Sequence, residues 1–283
     1  MMIDAHTHIF PEKICGAREA YFDGEPEFKL LYESPKAKLV GAEALVAEMD
    51  AHGVDMSIAF GFPWHQPDIF KAHNDYIMEA VARHPDRIKG LCCLDVFADG
   101  ALAEVERCIN GGLSGVGELA FYKGGFESDT LDQLAPVMAF CRERDVPVMI
   151  HTNEPIGHVY PGKTPNTLSQ IYELVKRFPD NRIVLAHWGG GLFFYMLMKK
   201  EVRDVLANVY FDTAASPFLY TPDIYAVAES AAGPEKILWG TDYPLIKPDR
   251  YFREIDKSGL SEEGKKQVMG GNAARLFSIQ PSL

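Results

Sequence analysis

The 283-residue sequence has no apolar run approaching the roughly 18 residues that a membrane-spanning helix needs. It also lacks internal repeats, low-complexity tracts and interdomain linkers. Basic residues are the scarcer charge: 28 Lys and Arg stand against 40 Asp and Glu, a formal net charge of -12. A field of that sign repels phosphate, so nucleic acid and anionic membrane surfaces are not expected partners, although a local cationic pocket can still hold a small anion. Cysteine is sparse and odd in number. Cys15, Cys92, Cys93, Cys108 and Cys141 have no paired zinc-ribbon spacing and read as reduced thiols of a cytosolic protein. The start, Met1-Met2-Ile3-Asp4-Ala5-His6, has neither a basic stretch nor an apolar segment of signal length, so a cytoplasmic location is expected.

What remains is an ordinary globular composition, 47% hydrophobic and 24% charged. Short apolar, β-branched runs alternate with helically spaced segments from one end to the other. Strands are predicted at 2–8, 54–61, 87–95, 113–120, 146–152, 182–188, 208–213 and 236–242. Helices are predicted at 42–49, 69–84, 100–110, 130–144, 166–178, 191–207, 222–232 and 261–277. This even α/β alternation predicts a (β/α)8 TIM barrel, with residues 1–283 as one domain. Two long connections break the rhythm, 9–40 and 153–165, and both leave the carboxyl ends of strands. Barrel enzymes keep their chemistry there, so these are expected to be active-site loops.

The chemistry-bearing residues collect at the same strand ends. His6 and His8 are two apart and project to one side, where two neutral imidazoles suit zinc or a similar divalent ion. His151, His187 and Asp242 each end an apolar run. Burying five such groups costs several kcal/mol each unless they are paired or bind metal. The run Trp188-Gly189-Gly190-Gly191 lacks the Walker lysine and dinucleotide spacing, and reads as a tight turn near the site.

With these residues in place, the chain resembles the amidohydrolase superfamily, and within it the amidohydrolase-2 branch of aminocarboxymuconate-semialdehyde decarboxylase and related metal-dependent hydrolases. The matching segments run in order: Ile3-Asp4-Ala5-His6-Thr7-His8, His73-Asn74-Asp75, His151-Thr152, Ala186-His187-Trp188-Gly189, Phe211-Asp212-Thr213, Gly240-Thr241-Asp242-Tyr243-Pro244 and Gly271-Asn272-Ala273-Ala274-Arg275. The resemblance implies that His6, His8, His151 and Asp242 are metal ligands, and that His187 binds a second ion or orients water and substrate. Glu118 is similar to the strand-four glutamate of TatD-like deoxyribonucleases, and is expected either to contact metal or to support a ligand histidine. Zinc is the expected cofactor, as one ion or as two, with manganese and iron also compatible.

Asp242 and His187 are the expected catalytic pair: Asp242 moves the proton and His187 stabilises developing negative charge. Trp64, His65, Tyr122, Lys123 and Tyr160 are expected to contact substrate, and Arg18 or Lys123 to hold a substrate carboxylate. Asp4 is expected to support the ligands from behind, whereas His52, His73 and His84 read as structural or exposed. The expected reaction is hydrolysis of a small lactone or amide by metal-activated water; the alternative is non-oxidative decarboxylation of an unsaturated or aromatic acid. Glu118 tilts the choice toward hydrolysis, because a second carboxylate beside the ion repels a substrate carboxylate. A small molecule is the expected partner, and a homo-oligomer is left open.

Overall fold

A computed structural model describes residues 1–280. Eight parallel strands form the centre: β1 (Ile3–His8), β2 (Met56–Phe60), β3 (Ile88–Gly90), β4 (Val116–Leu119), β5 (Val148–Ile150), β6 (Ile183–Leu185), β7 (Val209–Asp212) and β8 (Ile237–Leu238). Regular pairing links β1 to β3 and β4 to β8. Two single bridges, Cys92 with Val116 and Thr7 with Tyr243, join these stretches into a TIM barrel. Ile3, Ala5, Ile58, Phe60, Met149 and Val184 belong to the inner core, and a larger apolar layer packs the strands against the helices.

The helices Ala42–His52, Pro67–Arg83, Ala101–Asn110, Ser128–Glu143, Leu168–Arg177 and Ile224–Ala232 lie close to where apolar spacing predicts them. Two segments differ. Residues 191–207 do not form one helix, because Trp188 and Gly189 to Gly191 adopt positive φ and turn the chain through short 3-10 geometry before Lys200–Val205. Residues 261–277 break at Gly270, whose φ of 165° interrupts the helical path between Glu262–Lys266 and Asn272–Leu276. Sequence reading also misses Pro248–Ile255, which starts on proline and buries Tyr251 and Ile255 one turn apart. Among the described residues, no helix is long and apolar enough to cross a membrane.

The connection 9–40 is built, with helices Glu12–Gly16 and Pro26–Tyr32 separated by a 3-10 turn. Arg18 fixes its far half by donating to the carbonyls of Tyr32, Ser34 and Ala37 at 3.3, 3.4 and 2.7 Å. Arg18 is therefore occupied with backbone rather than held free for a substrate carboxylate. The second connection folds around Glu154, whose carboxylate accepts from Tyr160 Oη at 2.9 Å and Lys163 Nζ at 2.8 Å.

Candidate metal centre at the barrel mouth

The pairing register of β1 shifts between Asp4 and Thr7. Ile3 and Ala5 lie in the inner core, and after the shift His6 and His8 both join the cluster at the mouth. His6 is fully buried; its Nδ1 lies 2.9 Å from Asp212 Oδ2, and its Nε2 has no hydrogen-bond partner. His8 Nδ1 donates to the Gly61 carbonyl at 3.1 Å, His187 Nδ1 to the Ala214 carbonyl at 2.9 Å, and His151 Nε2 to the Gly162 carbonyl at 3.0 Å. Each ring thus commits one nitrogen to an acceptor outside the cluster and turns the other inward. That is how proteins orient imidazoles toward metal.

Two carboxylates complete the ring. Glu118 Oε1 is 2.9 Å from His151 Nδ1 and 3.4 Å from His187 Nε2, and Oε2 is 3.6 Å from His6 Nε2 and 3.8 Å from His8 Nε2. Asp242 Oδ1 is 3.4 Å from His8 Nε2 and 3.9 Å from His6 Nε2. Burial opposes the charged form of Glu118, but His151 and His6 outweigh it and hold the carboxyl well below its usual range. Asp242 is likewise lowered despite burial, by His8 and His6. Burial works against charge on His6 and His187 too, yet facing carboxylates push them up to about 10 and about 9. The facing carboxylates therefore favour the protonated forms of His6 and His187.

Three sets of donor atoms, His6/His8/Glu118, His6/His187/Asp242 and Glu118/His151/His187, each lie within 4.8 Å of one another. The buried Nε2 of His6, shared by the first two sets and unpartnered, is otherwise a costly orphan. With imidazole and carboxylate donors and no thiolate, the residues fit a divalent cation. Backbone strain concentrates here: among the described residues, four of the six positive-φ positions other than glycine, His187, Trp188, Ala215 and Asp242, border the cluster.

The cluster floors a cavity of about 700 Å³ with Tyr32, Phe62, Tyr122, Tyr160 and Phe218 on its walls. Tyr122 stacks on His151, with ring centroids 6.3 Å apart. Trp64, expected on that wall, is fully buried beneath it, packed on Phe28 and donating from Nε1 to His73 Nδ1 at 2.9 Å. Its indole fills the space under the 9–40 connection and does not reach the cavity. His65 is not among the lining residues either, because its two nitrogens are held by Asp95 and Glu27, each at 2.5 Å. Lys123 is exposed and also away from the lining.

Asp4 lies behind the cluster, accepting from the backbone nitrogens of His6 and Thr241 at 3.2 and 2.9 Å and from Thr241 Oγ1 at 2.6 Å. Sequence reading assigns no role to Asp212, Tyr32 or Glu154. Asp212 carried a usable signal, since it ends the apolar strand Val209–Asp212 just as His151 and Asp242 follow theirs. Tyr32 and Glu154 carried none, because the folded loops alone bring them to the cavity.

An amidohydrolase family model matches residues 3–279. The chain is 23% identical over 343 residues to a 2-amino-3-carboxymuconate-6-semialdehyde decarboxylase of Dictyostelium discoideum, covering 100% of this chain and 93% of that protein. It is 26% identical over 285 residues to a gamma-resorcylate decarboxylase of Polaromonas sp., covering 82% and 85% of the two chains. A 2-keto-4-carboxy-3-hexenedioate hydratase of Sphingobium sp. is also 26% identical, over 345 residues and 98% and 96% of the chains. The fold is similar to that of a 5-carboxyvanillate decarboxylase of Novosphingobium aromaticivorans with bound manganese, at a TM-score of 0.78 and 18% identity over 98% and 97% of the chains.

Proposed function

The chain belongs to the amidohydrolase family, and from that membership we propose that it is a divalent-cation-dependent, non-oxidative decarboxylase of an aromatic or unsaturated carboxylic acid. The observation that carries the reading is the position of the donor cluster at the floor of a cavity walled by aromatic rings. Flat apolar walls match a planar conjugated acid. They also favour a reaction that turns a localised carboxylate charge into neutral CO2. The decarboxylase relatives, aligned over most of the chain, support the same class.

Hydrolysis, the preferred expectation from sequence, rested on repulsion between Glu118 and a substrate carboxylate. Glu118 is not an isolated charge. Four imidazoles, those of His6, His8, His151 and His187, lie within 4 Å of its oxygens, and the raised His6 and His187, or a cation among these rings, offset it. A substrate carboxylate therefore meets a site whose negative charge is already balanced.

His6, His8, Glu118, His151 and Asp242 would hold the cation. When bound, a divalent ion supplies Lewis-acid charge that binds an oxygen of the substrate and eases the build-up of negative charge as CO2 departs. Tyr122 and Phe62 orient the ring against the cavity wall. Loss of CO2 leaves the electron pair of the broken C–C bond on the substrate carbon, and that carbon takes a proton. His187 and Asp242 both line the cavity. His187, whose Nδ1 is tied to Ala214, delivers the proton from Nε2, and Asp242 helps return one to it from solvent. Manganese and zinc both suit donors of this kind.

The test is a panel of hydroxybenzoates, conjugated enoic acids and lactones, assayed with Mn(II)- or Zn(II)-loaded protein for both CO2 release and ring opening. CO2 release from a conjugated acid is expected. Turnover confined to lactones or amides would return the assignment to hydrolysis.

A further inference from the structure

Asp212 is a fully buried carboxylate with no part in the chemistry above. No lysine or arginine among the described residues lies within ion-pair distance of it. Its Oδ2 is 2.9 Å from His6 Nδ1. Its Oδ1 accepts from the backbone nitrogens of His187 at 2.9 Å and Ala214 at 3.0 Å. The Ala214 carbonyl accepts in turn from His187 Nδ1 at 2.9 Å. One side chain on β7 thus grips the ring of a residue on β1. It also pins the left-handed backbone of His187 after β6, where φ is 55°, and the peptide that aims the His187 ring.

A buried carboxylate without a basic partner is costly unless positive charge lies close by. On the far side of the His6 ring is Nε2, buried, unpartnered and facing Glu118 and Asp242. We infer that Asp212 is the positioning residue of the centre. It keeps the His6 proton on Nδ1, so that the Nε2 lone pair points at the cation, and its charge is balanced through the ring by that cation. It does not line the cavity. The inference rests on reading the cluster as a cation site.

The experiment compares wild type with Asp212→Asn, each stripped by chelator and titrated with Mn(II), the free ion being followed by electron paramagnetic resonance. Asparagine can still accept from the His187 and Ala214 amides, but it presents an NH2 donor to His6 and so favours the tautomer that blocks Nε2. Mn(II) affinity should fall by about 10- to 100-fold with an unchanged far-ultraviolet circular dichroism spectrum. A second readout needs no variant: in Zn(II)-loaded, 15N-histidine-labelled wild type, His6 should show a slowly exchanging Nδ1–H and a coordinated Nε2. A folded variant with wild-type affinity, or a His6 lacking the Nδ1 proton when Zn(II) is bound, overturns the role of Asp212. Wild type that binds neither ion overturns the cation site itself and the inference with it.

Discussion

His8 and Asp242 come from the two ends of the chain, yet Nε2 of His8 lies 3.4 Å from Oδ1 of Asp242. The pairing exists because the barrel closes there: the Asp242 backbone nitrogen donates to the His6 carbonyl at 2.9 Å, and the His8 nitrogen to the Tyr243 carbonyl at 2.7 Å. Closure of the sheet and assembly of the centre are one event, and the substitutions that separate them are informative.

Replacing His6 or Asp242 with alanine should remove a cation donor. Cation affinity and turnover should both fall by more than about 100-fold, beyond the cost of losing an outer partner of a ligand. His187→Gln should split the two properties, keeping most of the affinity while turnover falls by about 100- to 10,000-fold, the range for loss of a positioned acid. Metal content by elemental analysis, read beside CO2 release, checks both outcomes.

Cation binding should release protons. In the cation-free protein facing carboxylates push His6 up to about 10, and a cation needs its Nε2 bare. Affinity should therefore rise from pH 6 to pH 9. Calorimetry at pH 7 in buffers of different ionisation enthalpy should report release of about one proton per cation. A heat independent of buffer contradicts this.

The strand-terminal polar residues were legible because the fold makes them conspicuous: an ionisable residue ending an apolar run has few structural excuses. His151, His187 and Asp242 follow that rule, and Asp212 follows it too, although only the structure shows its link to His6. Loop residues obey no comparable rule. Trp64 reads as a substrate contact and Tyr32 carries no signal, yet tertiary packing sends Trp64 beneath the loop and Tyr32 into the cavity. The charge of Glu118 was legible, but not how closely the four imidazoles surround it, since those come from three different strand ends.

His65 joins the 9–40 connection, through Glu27, to the segment after β3, through Asp95. The Asp95 hydrogen bond, opposed by desolvation and aided by Glu27, raises it from 6.5 to about 9. Because the folded value is the higher one, this stabilisation is fully present below about pH 6.5 and is lost as pH rises through about 9. The stability gap between wild type and His65→Gln, measured by urea denaturation, should narrow from pH 6 to pH 9.5. A gap that stays constant contradicts the assignment.

Gly61→Ala should disturb the centre without touching a donor. A Cβ there would sit 2.7 Å from the His73 ring, which cannot retreat because it is held by Trp64 Nε1 at 2.9 Å and the Ile9 carbonyl at 2.7 Å. The strain should cost about 1–3 kcal/mol of stability. The Gly61 carbonyl that orients His8 should shift as well, weakening Mn(II) binding. Chemical denaturation and metal titration of the one variant check both effects.

Anomalous diffraction from crystals soaked in Mn(II) or Zn(II) bears most directly on the centre. The expected result is a peak bonded to Nε2 of His6, Nε2 of His8 and a carboxylate oxygen of Asp242, at distances of about 2.0–2.3 Å. Fully soaked crystals with no peak among these atoms, or with ions only elsewhere, would contradict the account.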